Sequence, residues 1–132
     1  MPDETFQCTV ITPEARVYDG QVEFVVIPAH DGEIGILHNR GALLCKLGPG
    51  RMRVRSEGGE ESWFVDGGFA QVLDNQVTVL TQRALRPDQI DRSQAQSLLA
   101  EARRIRVVDD VSDHRQAQLE ARARAQLRMA RG

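Results

Sequence analysis

The chain has 132 residues, of which 41% are hydrophobic and 5% aromatic, and its formal net charge is −2. This length and hydrophobic content suit one compact domain, or a small domain with an appendage, and argue against disorder throughout. The scarcity of aromatic side chains argues against a stacking platform for single-stranded nucleic acid. The weakly negative net charge also excludes an overall basic surface of the kind that binds nucleic acid.

The charge is unevenly divided along the chain. Residues 1–86 contain 12 Asp/Glu and 8 Lys/Arg, whereas residues 87–132 contain 7 Asp/Glu and 9 Arg. This asymmetry predicts two segments that face different partners. We expect a soluble, cytosolic protein, because no uncharged run approaches the ~18 residues of a membrane span and "MPDETFQ" lacks the basic and apolar regions of a secretion signal.

The first 86 residues have the pattern of short strands and no helical period. Candidate strands are FQCTVIT, VEFVVIPA, ALLCKL, RMRVR, ESWFV, FAQVL and VTVLTQ, the last two joined by the turn-forming DNQ. Short strands punctuated by Gly and Pro favour an antiparallel sandwich or barrel.

The segment RMRVR–ESWFV has the clearest alternation. Met52 and Val54 fall on one face and three arginines on the other,. Gly58-Gly59 predicts the hairpin turn, because glycine accepts the positive φ that such turns need. Glu60 and Glu61 are expected to face the arginines across the pair.

Two helical stripes follow "ALRPD". The first consists of Ile90, Gln94, Ala95, Leu98, Ala102 and Ile105, and the second of Leu119, Ala123, Leu127 and Ala130. Asp91 with Gln94 resembles a capping box, and Asp113 or Ser112 is expected to cap the second helix. Because the stripes are narrow and rich in alanine, we predict a helical hairpin that is marginal alone and able to detach.

The sequence contains few candidates for catalytic, metal-binding or phosphate-binding residues. His30, His38 and His114 have no metal-ligand spacing, Cys8 and Cys45 lie in apolar strands, and the phosphate-binding and catalytic glycine motifs are absent,. We therefore expect no catalytic residues, metal or cofactor, and a binding or regulatory role. For the arginines, a solvated face, a contact with acidic protein and a contact with nucleic acid remain open; they are Arg115, Arg122, Arg124, Arg128 and Arg131.

Several motifs in order resemble the ε subunit of bacterial F-type ATP synthases, the counterpart of the mitochondrial δ subunit. They are TVITPEARVYDGQVEFVVIPAHDGEIGIL, LGPGRMRV, VDGGFAQVLDNQVTVL and IDRSQA, and together they span nearly the whole chain. The resemblance implies a ten-stranded antiparallel β-sandwich (residues 1–86) that binds the γ subunit and rests on the ring of c subunits, followed by a regulatory helix–loop–helix (residues 87–132).

The resemblance also implies a c-ring contact at a loop that matches the family's "GE-x-GIL". The expected contact residues are Asp31, Gly32, Glu33, Gly35, Ile36, Leu37, His38 and Arg40. A conventional hairpin loop without a partner is the alternative. The chain departs from the family's "PGH-x-P" after this motif, and Arg40 adds a positive charge there.

In such subunits the hairpin lies on the sandwich or extends towards the α/β catalytic head and blocks ATP hydrolysis. Arg115, Arg122, Arg124 and Arg128 would then meet acidic surfaces. Some relatives bind ATP through "I/L-D-x-x-R-A" with arginines of the second helix. Ile90, Asp91, Ala95 and Arg122 match, but Gln94 replaces the arginine, so we expect weak or no ATP binding,.

The resemblance thus implies a non-catalytic rotor subunit that couples proton or sodium flow to ATP synthesis. It would lie peripherally on the cytoplasmic face of the bacterial inner membrane, with neither nucleic acid bound nor membrane insertion. The alternative is a free-standing β-sandwich adaptor whose basic helices bind nucleic acid or acidic protein.

Overall fold

The structure, a computed structural model, describes residues 4–130. Within this range the strands are β1 (Phe6–Ile11), β2 (Arg16–Val22), β3 (Phe24–Ala29), β4 (Gly32–Ile36), β5 (Leu43–Ser56), β6 (Gly59–Leu73), β7 (Gln76–Leu80) and β8 (Ala84–Leu85). A 3-10 turn (Pro87–Gln89) leads to helices α1 (Arg92–Arg104) and α2 (Asp110–Met129). The predicted change from strands to helices after "ALRPD" is confirmed.

The strands form one curled sheet in the order β2-β1-β7-β6-β5-β3-β4, with β8 on β6. Strand β1 lies between β2 and β7, and its pairing with β7 is parallel. The other strand pairs of the described residues are antiparallel, as predicted.

The main core lies between the two halves of this sheet. Alternate residues point into it, as in β1, where Phe6, Cys8 and Val10 are buried. Tyr18 packs edge-on against Trp63 with ring centroids 5.1 Å apart. Each fully buried large side chain contributes about 1.5–3 kcal/mol, so residues of the sheet alone supply a substantial core.

The two longest strands, β5 and β6, change phase at the same level. In β5, odd-numbered residues such as Leu47 face the core before Gly48-Pro49-Gly50, and even-numbered residues such as Met52 face it afterwards. In β6, the core-facing residues likewise change from odd-numbered to even-numbered across Gly67-Gly68. Gly68 has φ +104°, and a Cβ there would lie 1.9 Å from the Leu80 carbonyl oxygen. Counting each half of β5 and β6 separately gives the ten strands that the resemblance implied.

The predicted β5–β6 hairpin is present, and it places Met52 opposite Trp63. Its turn is one residue earlier than predicted, at Glu57-Gly58, because Gly59 with φ +122° already pairs with Ser56. Glu60 contacts Arg53 (3.5 Å) and Arg55 (3.8 Å), as expected.

Glu61 differs from the prediction. Its carboxylate lies 3.9 Å from Arg86, at the end of the sheet, and not beside the arginines of β5. The predicted DNQ turn is confirmed: Asp74 and Asn75 have positive φ and join β6 to β7 in two residues.

Both helix caps are aspartates. Asp91 accepts hydrogen bonds from the backbone N–H groups of Ser93 and Gln94, so the predicted cap of α1 is correct, but the Gln94 side chain does not complete a capping box. The predicted cap of α2 is wrong. Asp109 caps this helix, and Ser112 is its reciprocal partner at the third helical position.

The helices pack against each other through alanine. Ala95 and Ala102 of α1 and Ala123 of α2 are buried, as the stripes predicted. Ala125 and Gln126 lie outside the predicted stripe and are buried as well, because α2 contacts the sandwich in addition to α1. These side chains are small, so the hairpin gains little apolar burial of its own.

Candidate functional site

Residues 31–40 form a surface that we call the β4 rim. The sequence indicated a loop here, but Gly32–Ile36 is an edge strand paired with β3, and a two-residue turn at His30-Asp31 joins the two strands. The loop prediction is wrong because Ile34 and Ile36 alternate towards the core and Gly32 (φ +138°) completes the tight turn.

The β4 rim exposes both charged and apolar groups. Asp31, Glu33 and Arg40 are exposed, and Leu37 is 59% exposed. Within the part of the chain that the structure describes, neither carboxylate makes an ion pair. Ile36 is a correction to the predicted contact set: its side chain is fully buried in the core, so it supports the strand and offers no surface.

The remaining rim residues have different exposures. Gly32 and Gly35 are exposed along the strand, and His38 is half-buried. The following loop is tied to the opposite turn, because the backbone N–H of Asn39 donates to Oδ1 of Asn75 at 2.7 Å. Asn75 also donates through Nδ2 to the Thr5 carbonyl oxygen, which fixes the position of the loop.

A second surface was missed by the sequence reasoning. We call it the bare face: Leu44, Phe69, Leu73 and Leu80, exposed by 72%, 54%, 47% and 51% on β5, β6 and β7. Phe69 pairs with Leu80 across the strands, and a cavity of about 330 Å³ opens beside them, lined by Ile11, Thr12 and Pro13. Several large apolar side chains exposed on one face of a sheet mark a candidate interaction site.

The signal for the bare face was present in the sequence. In "FAQVL" Ala70 and Val72 point inward, yet Phe69 and Leu73 on the outward positions are apolar too. A strand with one face on the core and the other in water alternates cleanly between apolar and polar residues. Apolar residues on both faces therefore depart from the pattern of a strand whose outer face lies only in water.

A third surface, the seam, is where the hairpin lies on the sandwich. Its apolar part is a small cluster of Phe64, Ile90 and Ala125, with Leu85 and Met129 packed against it. Phe64 points away from the main core, opposite to its neighbour Trp63, and is fully buried by these contacts.

Among the described residues, the seam contains one ion pair in addition to the buried polar side chain of Gln126. Arg122 donates through Nε to Oδ1 of Asp66 at 2.8 Å. The side chains of Arg122 and Asp66 are 33% and 18% exposed, so the pair is partly shielded from water.

The other predicted arginines have different surroundings. Arg124 pairs within α2 with Glu120, Arg115 and Arg128 are exposed, and Arg128 lines a groove of about 190 Å³ with Arg51 and Ser62. Arg131 lies outside the described residues. Arg122 is therefore the predicted arginine that the docked hairpin engages with the sandwich.

The positions matched to an ATP pattern already have other contacts. Ile90 and Ala95 are buried, Asp91 caps α1, and Arg122 pairs with Asp66. These four residues thus have structural partners in the docked hairpin.

Burial raises the pKa of the Cys8 thiol to about 12, and the Asp19 carboxylate adds to this shift. Burial also raises the pKa of Cys45. Both thiols are therefore poor nucleophiles at neutral pH. Across residues 4–130, no three His, Cys, Asp or Glu side chains are grouped to hold a metal ion, and no helix combines the length and apolar character needed to cross a membrane.

Comparison with solved structures identifies similar folds. The chain superposes on a chain of the Euglena gracilis mitochondrial ATP synthase, solved as OSCP/F1/c-ring, with a TM-score of 0.80 at 24% identity over 95% of this chain and 80% of that one. A chain of the Tetrahymena thermophila mitochondrial ATP synthase, solved as central stalk and c-ring, gives 0.69 at 16% identity over 95% and 96%. At these identities the likeness shows the fold.

Sequence comparison shows the family. Residues 5–87 match the model described as "ATP synthase, Delta/Epsilon chain, beta-sandwich domain". The chain is 41% identical to the ATP synthase epsilon chain of Rhodopirellula baltica over 131 residues, which is 96% of this chain and 99% of the relative. It is also 41% identical to that of Synechococcus sp. (strain JA-2-3B'a(2-13)), over 96% and 93%. The chain therefore belongs to the delta/epsilon chain family of ATP synthases, as a subunit that is not itself catalytic.

Proposed function

We propose that the chain is a rotor subunit of the central stalk of an F-type ATP synthase. In this role it couples ion flow through the membrane ring to ATP synthesis and restrains ATP hydrolysis. Family membership supports this role, and so do the central-stalk and c-ring assemblies from which the similar folds were solved. The observation that carries it is the combination of an uncovered apolar face on the sandwich with a hairpin held by a small seam.

The bare face is the proposed seat of the γ subunit. Its apolar side chains come from three adjacent strands and include Leu44, Phe69 and Leu80. Phe69 and Leu80 lie on strands that are paired on both sides, and Leu44 is paired with Gln71. A partner that covers them gains roughly 25 cal/mol for each Å² of apolar surface removed from water.

The β4 rim is the proposed contact with the c ring. Asp31 and Glu33 present carboxylates without ion-pair partners among the described residues, and Leu37 adds an apolar group. Polar loops of the ring that carry a cation would complement them. Arg40 lies at the end of the rim and favours a carboxylate on the facing part of the ring.

The two segments have separate tasks in this proposal. Residues 1–86 form the stalk contacts, and residues 87–132 form a regulatory arm that detaches from the seam and reaches the α/β catalytic head. Support for detachment comes from the alanine-rich packing of the helices, which leaves the docked and released states close in free energy,. Released arginines of α2 would then meet acidic surfaces.

The same proposal places the subunit peripherally on the cytoplasmic face of a bacterial inner membrane. We expect weak or no ATP binding to the isolated chain, because Gln94 cannot supply the charged donor fork of an arginine and Arg122 is engaged by Asp66,. Calorimetric titration of ATP tests this expectation, and a dissociation constant of about 1 mM or tighter would contradict it.

The deciding experiment removes residues 88–132 from the chain in the assembled complex. We expect ATP-driven proton pumping in membrane vesicles to survive and the rate of ATP hydrolysis to change. A matched control is Phe69→Ser in the full chain, which leaves the arm intact and should weaken assembly. Loss of assembly after the deletion would show that the two segments have the opposite tasks.

A further inference from the structure

The ion pair between Asp66 and Arg122 joins parts of the chain that are 56 residues apart in sequence. Across residues 4–130, the remaining ion pairs lie within the sandwich, reach Arg86 at its end, or lie within α2. The rest of the seam is a small apolar cluster. We propose that this pair is an electrostatic latch, which holds the hairpin docked. An acidic partner surface opens the latch by competing with Asp66 for Arg122.

Asp66 is held in place before the hairpin arrives. Its backbone N–H donates to the carbonyl oxygen of Arg83 and to Oγ1 of Thr81, each at 3.1 Å. Thr81 is itself buried and donates its hydroxyl to the Arg83 carbonyl. Docking therefore orders the side chains of Arg122 and Asp66 but not the backbone of Asp66, which limits the entropy cost of closing the latch.

The latch is partly shielded from water, which strengthens it. A fully exposed ion pair contributes little to stability, whereas a charged hydrogen bond with reduced solvent access contributes more. Arg124 provides the comparison within the same helix, because its partner Glu120 lies one turn away and makes no link to the sandwich. Of these two ion pairs, only the one made by Arg122 links the hairpin to the sandwich.

Arg122 cannot serve two carboxylates in the same geometry. Its Nε donates to Asp66 in the docked hairpin, so an acidic surface that binds Arg122 must replace Asp66. The ligand class is a protein surface rich in carboxylates, and its effect is to shift the hairpin towards release. This inference rests on the proposed function in one respect, namely that the hairpin leaves the seam in the complex.

The latch is tested by amide hydrogen exchange on the full isolated chain. Release exposes the buried positions Ala123, Ala125 and Gln126 and removes the packing that protects this part of α2. An isolated helix exchanges faster than a docked one, so exchange of the amides from Ala123 to Met129 reports hairpin release. We expect Asp66→Asn and Arg122→Gln each to reduce protection of these amides about tenfold, the effect of losing one charge-assisted hydrogen bond. Amides of β7 serve as the internal reference.

The matched control is Arg124→Gln, which removes the same charge from the same helix and should change protection by no more than about twofold. Raising the salt concentration to about 1 M shortens the Debye length to roughly 3 Å and should weaken protection in the parent chain but not in Asp66→Asn. The parent arm of the salt series uses no substitution, so unchanged protection of the parent chain at high salt would count against the latch even if a variant disturbs folding.

The outcomes separate the latch from the proposed function. Unchanged protection in both latch variants, or an equal loss in Arg124→Gln, would overturn the latch. If protection falls as expected but the ATP synthase that contains these variants hydrolyses ATP at the parent rate, the latch is upheld and the proposed restraint of hydrolysis is wrong.

Discussion

Phe64→Ala should release the hairpin and leave the sandwich folded. Phe64 is fully buried, and its cluster is formed mainly by the hairpin and the segment that leads to it: Ile90, Ala125, Met129 and Ala130, with Leu85 from the sheet. Truncating a buried Phe costs about 3–5 kcal/mol. Because most of its neighbours leave with the hairpin, we assign about 2 kcal/mol to docking, which is roughly a 30-fold increase in the released fraction.

Two measurements separate docking from sandwich stability. Amide exchange of α2 should accelerate by about that factor of 30. Urea unfolding followed by Trp63, the single tryptophan of the chain, should show only the remainder of this cost, about 1–3 kcal/mol, with the sandwich still folded in water,.

The matched variant is Trp63→Phe at the adjacent position. Trp63 faces the main core and contacts Tyr18, so this change should lower the sandwich midpoint, followed by circular dichroism, and leave α2 exchange nearly unchanged. If Phe64→Ala lowers the sandwich midpoint and does not affect α2 exchange, then Phe64 stabilises the sheet and does not anchor the hairpin.

Three further outcomes are expected. Gly68→Ala should cost roughly 3–5 kcal/mol in urea unfolding, since the added Cβ meets the backbone of β7, whereas Gly41→Ala, with open space around it, should be neutral,. Phe69→Ser should weaken binding to purified γ subunit in calorimetry and change stability by no more than about 0.5 kcal/mol. Val108→Ser, at an exposed site outside the bare face, should alter neither,. Hydrogen bonds from Ser112 lower the pKa of the Asp109 carboxyl, so its stabilisation of α2 is present above the unfolded-state pKa and is lost as the pH falls towards the lower folded value,. Exchange in the first turn of α2 should thus accelerate below about pH 4 in the parent but not in Asp109→Asn.

Local patterns predicted the elements best. The alternation around Met52 and Val54 identified the β5–β6 hairpin and its buried face, and the change in composition after "ALRPD" identified the helices. Asp91 was recognised as a cap because its role depends on neighbours two and three residues away. Such features depend on residues close in sequence, which a pattern can read.

Features that depend on distant residues were not predicted. The β4 strand reads as a glycine-rich loop because its pairing with β3 becomes visible only once Ile34 and Ile36 have a core to face. The change of phase at Gly68 depends on the closeness of the Leu80 carbonyl. The Asp66–Arg122 pair depends on where α2 docks, and charge pattern alone does not indicate which of several arginines reaches the sheet.

The continuity of β5 and β6 has a mechanical consequence. Phe69 on the bare face and Asp66 on the seam are three residues apart on β6, a separation of about 10 Å along the strand,. Tension applied at one surface therefore reaches the other through peptide bonds, which are far stiffer than side-chain packing. A force applied at Phe69 would therefore act on the backbone that carries Asp66 without a relay of side-chain contacts.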